Sequence, residues 1–211
     1  SNDDARVGIL VGDVYDSLTV ENCYVSGTIE TADGTNKIES AGGLIGNVMK
    51  NYSVKIQSCY ADAKIKGTTD RGFAGGLVGL SVGTTTIDNS YAVVDMDLDK
   101  GYYIGGLVGS GNVTISNSYA AGEALTKNPI GASVAGISAN GSISSCVSIF
   151  PEMRSLNRIG GTTGSCRDNY GFAGTVARKS DGTILTPDPD TMGADKLYGA
   201  DATAANLKDP E

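Results

Sequence analysis

Small and apolar side chains recur at every second position in four stretches of this chain. They are Cys23, Val25, Gly27, Ile29; Cys59, Ala61, Ala63, Ile65; Ser90, Ala92, Val94, Met96; and Ser118, Ala120, Gly122, Ala124. The residues between them are Tyr24, Ser26, Thr28, Glu30 in the first stretch, Tyr60, Asp62, Lys64, Lys66 in the second and Tyr91, Val93, Asp95, Asp97 in the third. A period of two is that of a β-strand with one covered face. The small set is therefore predicted to face inward, and the tyrosines and charges outward.

Ahead of each stretch stands a Gly-rich apolar phrase. Its copies are Val7-Gly-Ile-Leu-Val-Gly12, Ala41-Gly-Gly-Leu-Ile-Gly46, Ala74-Gly-Gly-Leu-Val-Gly79 and Ile104-Gly-Gly-Leu-Val-Gly109, with decayed copies at Val134-Ala-Gly-Ile-Ser-Ala139 and Ile159-Gly-Gly-Thr-Thr-Gly164. They begin at residues 7, 41, 74, 104, 134 and 159, close to a 30-residue period, which is the mark of a unit that stacks on its own copies. A second phrase, Ile56-Gln-Ser-Cys-Tyr60 or Ile115-Ser-Asn-Ser-Tyr119, follows the first. Three short strands per unit, repeated in register, predict an all-β fold: a parallel β-helix of about six coils, right-handed by the crossover rule. A bend or bulge at Gly75-Gly76 is needed for Ala74, Leu77 and Val78 to share one core, with Leu10, Leu44, Leu77, Leu107 and Ile137 as its thickest column. The distance from Asp13 to Thr19 exceeds that from Ser110 to Thr114, so corners are expected to absorb the length differences.

The repeat pattern covers residues 1–175. Residues 176–211 read as a C-terminal loop, through Thr186-Pro-Asp-Pro-Asp190, and a short helix over 201–208. The abrupt end at Asp-Pro-Glu reads as a cut within a longer chain. The first coil has no visible cap, which predicts either a covering segment or weak end-to-end self-association.

Composition narrows the functions available. A net charge of −8 with no basic cluster argues against nucleic acid, and no apolar stretch is long enough to insert in a membrane. The absence of His excludes Ser-His-Asp and Cys-His nucleophiles; no cofactor is expected. Three of the four cysteines occupy a position that holds Ser90 or Ser118 in other copies, so the site asks for a small side chain, and free buried thiols are the preferred reading over disulfides.

Two surface sets are candidates for binding. Asp95 and Asp97, with Glu123 expected beside Asp95 on the next coil, could gather around Ca²⁺. The same alignment sets Lys64 beside Asp95 and puts Glu30, Lys66 and Asp97 in one column, so lateral ion pairs account for these charges more simply. Tyr24, Tyr60, Tyr91 and Tyr119 form the other set. They would stack one coil apart, either as an apolar platform for sugars or a protein partner, or as glue between coils beneath corner loops. Asn22, Asn89 and Asn117 are expected to form a ladder of side-chain amides at the corner.

The Ala-Gly-Gly-Leu-Val-Gly phrase followed by Ile-x-Asn-Ser/Cys-Tyr-Ala resembles the GLUG repeat of bacterial surface and secreted proteins, over about residues 7 to 172. Such repeats occur in adhesin-like proteins, many from gut Bacteroides, and beside the catalytic part of IgA1-specific metallopeptidases. The resemblance implies extracellular or outer-surface residence and an adhesive or spacer role. It carries no catalytic residue over, because the metallopeptidase zinc helix needs His-Glu-x-x-His. The expected function is a non-enzymatic module presenting a β-helix face to a glycan or to a host or bacterial surface protein. The alternatives are a polysaccharide lyase or hydrolase acting through exposed carboxylates, and the scaffold part of a larger secreted enzyme.

Overall fold

Each Gly-rich phrase folds as two short strands with a corner between them. In the third copy, Phe73–Gly75 enters one sheet, residues 76 and 77 bend, and the chain from Val78 enters the next. The bend is why Ala74, Leu77 and Val78 are all buried despite their conflicting parity. It also requires glycine: a Cβ on Gly75 would meet the carbonyl oxygen of Val78, and one on Gly76 would meet the carbonyl oxygen of Gly106 and the Cβ of Ala92. The phrase is a corner through which successive coils approach backbone to backbone.

A computed structural model describes residues 5–30, 37–67, 72–98, 103–122, 124–125, 133–179 and 181–207. These residues form three parallel sheets wrapped around one core. The first sheet runs Ala5–Gly8, Ile38–Gly42, Phe73–Gly75, Tyr103–Gly105, Ser133–Ala135. The second contains the strands that leave the Gly corner, such as Ile45–Val48, Val78–Asp88 and Val108–Ser116, and the third contains those that begin at the tyrosines, Tyr24–Glu30, Tyr60–Gly67, Tyr91–Leu98 and Tyr119–Ala121. Every pairing between these strands is parallel. The result is a β-solenoid of about five turns. The sixth Gly-rich copy contributes only to the second sheet, as Gly160–Thr163, so it does not complete the sixth coil expected from the repeats.

Between the Gly-rich phrase and the Ile phrase, the length differences are absorbed within the second sheet, by turns at residues 15–17 and 49–52 in the first two coils. Leu18–Glu21 and Ser53–Gln57 are separate strands in the first two coils, whereas Val78–Asp88 is continuous in the third. Its register against Val108–Ser116 slips between Ser81 and Thr84, where a bulge absorbs the mismatch.

Alternation in the third sheet places the small set inside. Cys59, Ala61, Ala63, Ile65, Ser90, Ala92, Val94 and Met96 are all buried. The leucine column is fully buried at Leu44, Leu77, Leu107 and Ile137, but Leu10 is 47% exposed. Leu10 lies on the first coil, which among the described residues is paired on one side only. At the other end the chain covers the solenoid with its own tail. Ala200–Ala202 adds to the third sheet beside Tyr170–Phe172, and the N–H groups of Ile159 and Gly160 both donate to the carbonyl of Leu197, at 3.0 and 3.2 Å. The expected helix over 201–208 is thus a strand followed by one turn held by Thr203 and Asn206. The described residues include one short helical turn, Pro189–Thr191, and no helix long and apolar enough to cross a membrane.

Candidate functional site

The passage from the second sheet to the third is made by one residue per coil in the left-handed conformation. Asn22, Ser58, Asn89, Asn117, Ser145 and Asp168 have φ between 49° and 53°. Asn and Asp tolerate this region better than other side chains that carry a Cβ, which accounts for the Asn of the repeat phrase. The amides do not form the expected continuous ladder. Asn89 donates to the Ser58 hydroxyl at 3.3 Å, and Asn117 donates to the Asp88 carboxylate at 2.8 Å.

The next residue turns inward and ties the corner together. Cys23, Cys59, Ser90, Ser118 and Cys146 each donate from sulfur or oxygen to the carbonyl two residues earlier, at 2.6 to 3.2 Å. The serine oxygens also accept from the coil before, Cys59 N–H to Ser90 Oγ at 3.0 Å and Ser90 N–H to Ser118 Oγ at 3.1 Å, and on the last coil Asn169 Oδ1 accepts from Cys146 N–H at 2.9 Å. The position therefore asks for a donor as well as small size. Burial pushes the Cys59 and Cys146 thiols up, Cys146 to about 12, so the fully buried Cys146 sulfur is a structural hydrogen-bonding group rather than a nucleophile.

One residue further, the tyrosines point outward and stack. Ring centroids are separated by 4.8 Å for Tyr24 and Tyr60, 4.3 Å for Tyr60 and Tyr91, and 4.6 Å for Tyr91 and Tyr119, with interplanar angles of 10° to 23°. Val147 occupies the next register position and ends the column. Each inner ring has a tyrosine on both faces, so the column offers its ring edges outward and not the faces a sugar platform needs. Tyr24 and Tyr119 each have a ring on one side only; Val147 is in register on the other side of Tyr119, whereas Tyr24 is 60% exposed. Loss of water, with contributions from Asp62 and neighbouring rings, raises the Tyr60 phenol above its usual range; burial does the same for Tyr119. Both stay neutral at physiological pH.

The tyrosine edges and the corner residues line an open groove of roughly 640 Å³ that runs across four coils, parallel to the solenoid axis. Its walls are Tyr, Asn, Ser and Cys, with no carboxylate, lysine or arginine among them. The charged column lies further along the same sheet. Lys64 is in register with Asp95, and Lys66 with both Glu30 and Asp97, the alternation of sign expected from the alignment. Glu123 lies outside the described residues. Among the described residues no three His, Cys, Asp or Glu gather to hold a metal ion.

Sequence reasoning missed Arg158, whose side chain is 1% exposed. Its guanidinium donates to the carbonyls of Tyr198, Gly171, Phe172 and Gly199 and to Asp201 Oδ1, at 2.8 to 3.2 Å, and lies 3.9 Å from the Tyr198 ring centroid. The signal available was weak: a charged residue directly before Ile159-Gly-Gly, where Ser40, Phe73, Tyr103 and Ser133 stand in other copies but Arg6 stands in the first.

No protein-family model matches the chain, and no curated protein matches it in sequence. A solved structure does. It is a Bacteroides ovatus protein, provisionally described as an immunoglobulin A1 protease, with a TM-score of 0.56 and 19% identity. What the two share is the fold. The match covers 97% of this chain and 57% of the other, so this chain spans little more than half the length of that protein.

Proposed function

We propose that this chain is a non-enzymatic display module of a bacterial surface or secreted protein, and that the Tyr–Asn groove receives a neutral, linear glycan laid along the solenoid axis. The reading rests on one observation: the groove is lined by tyrosine edges and corner hydroxyl, thiol and amide groups, without a carboxylate, lysine or arginine. Glycoside hydrolysis needs a pair of carboxyl groups across the bound sugar, and the walls of this groove supply none. Hydrogen-bonding groups repeat along the groove at the strand spacing of about 4.8 Å, close to the advance of one pyranose ring in an extended chain. Ligand units can thus meet equivalent partners on successive coils, and the open face of Tyr24 offers a stacking position at one end. Likeness to the GLUG repeats and the fold shared with the Bacteroides protein support placing the module outside the cell and within a larger polypeptide.

The test is binding of the chain to an array of linear neutral glycans, with and without Tyr91→Ala and Tyr119→Ala together. The expected outcome is retention on extended glycans, reduced at least about tenfold by the double substitution, with no new reducing ends released. Release of reducing sugar would replace this reading with the enzymatic one. Retention of a protein with no glycan bound would show a protein-recognition module instead.

A further inference from the structure

We infer that Cys23 and Cys59 are a site of reversible oxidation, at which a disulfide ties the first coil of the solenoid to the second. The four cysteines are free thiols in the structure, and their surroundings differ. Tyr24 is in register with Tyr60, so the preceding cysteines stand at the same position on adjacent coils, and the Tyr60 N–H donates to the Cys23 carbonyl at 2.8 Å. The Cys59 side chain has the Cys23 side chain as a hydrogen-bond neighbour and also reaches the carbonyl of Val20 on the first coil, at 3.4 Å. Strand spacing of about 4.8 Å sets the Cα separation within the range a disulfide spans. Both residues lie at the corner outside the regular strands, and both line the open groove.

The other two thiols have no cysteine in register. Cys146 is fully buried at the level of Ser118 and Asn169, and Cys166 pairs with Ile143. Cys23 is half-buried, on the coil that among the described residues is paired on one side only, and is the point of entry. The oxidant is a small-molecule disulfide. The Cys23 thiolate attacks one of its sulfurs and releases one thiolate; the Cys59 thiolate then attacks Cys23 Sγ in the mixed disulfide and releases the second. Two protein thiols become one disulfide, the small-molecule disulfide becomes two thiols, and the protons pass to solvent and the leaving thiolates. Cys59 follows Cys23 by 36 positions, so the bond closes a long loop at the least supported end of the solenoid. An extracellular setting favours the oxidised form.

The experiment exposes the whole folded chain to a glutathione buffer, oxidising or reducing, then alkylates, counts thiols, maps peptides and records thermal melts. Oxidation is expected to remove two of the four thiols, to yield a linked peptide containing Cys23 and Cys59, and to raise Tm by about 5 °C. Cys23→Ser and Cys59→Ser should each abolish that rise, and a Cys146→Ser, Cys166→Ser double variant should keep it. Serine already occupies this position at Ser90 and Ser118, so these variants retain the hydrogen bonds of the corner. Four surviving thiols, a stable glutathione adduct on Cys23, or a link between Cys146 and Cys166 would overturn the assignment.

Discussion

At the scale of single residues, the third and fourth coils are pinned by a carboxylate. Asp88 Oδ1 accepts from Ser116 Oγ at 2.7 Å and from Asn117 Nδ2 at 2.8 Å, both on the following coil, and these bonds hold its carboxyl below the usual range. A depressed folded-state pKa contributes stability that is fully present above the unfolded value of about 4 and is lost as pH falls through the folded one. Melts followed by circular dichroism at pH 7, 5 and 3 should therefore show Asp88→Asn lowering Tm at pH 7 and 5, with the gap from the parent narrowing at pH 3. A gap independent of pH would mean that the carboxylate charge is not what these bonds use. The inward Ser/Cys residues of the same corner were legible as small. Their role as donors was not, because a hydrogen bond to the carbonyl two residues back depends on the left-handed turn between them.

At the scale of elements, the sheet that begins at the tyrosines could be read directly, since its period of two and its small inward residues leave one arrangement. The Gly-rich phrase reads as a strand bent at Gly75-Gly76, and the structure makes it two short strands joined by a corner at that place. Its glycines stand where neighbouring coils meet backbone to backbone. Gly76→Ala puts a methyl against the Gly106 carbonyl and Ala92, neither of which can yield as a flexible side-chain end would. It should cost about 2–3 kcal/mol and lower Tm by on the order of 5–10 °C in calorimetry. An unchanged Tm would show that the coils have room to separate there. The tyrosine column was also legible as stacked and outward. That its inner faces cover one another, leaving only edges to the groove, follows from interplanar angles that no spacing reveals.

At the scale of the whole molecule, the two ends of the solenoid are unlike. The first coil is paired on one side and half-exposes residues that are buried in every coil above it, whereas the last is covered by residues 194–202. Arg158 joins the cover to the body. Removing its guanidinium leaves four carbonyls without this donor in a region that admits little water. Arg158→Met should destabilise the protein by about 3 kcal/mol. Hydrogen exchange should rise first in Ala200–Ala202 and Tyr170–Phe172, before the central coils. Uniform exchange along the chain would contradict a separable cover.

The amino-acid sequence by itself determined the stacking: a near 30-residue period, alternation in the third sheet, and charges of alternating sign can be satisfied together only when equivalent side chains pile into files. It also removed histidine chemistry. Tertiary structure alone decided which files remain open to solvent, how many turns are complete, and that a buried arginine closes one end. Those features arise from contacts between segments 13 to 43 residues apart and from the direction in which rings and guanidinium face, and a local pattern of polar and apolar positions carries no record of either.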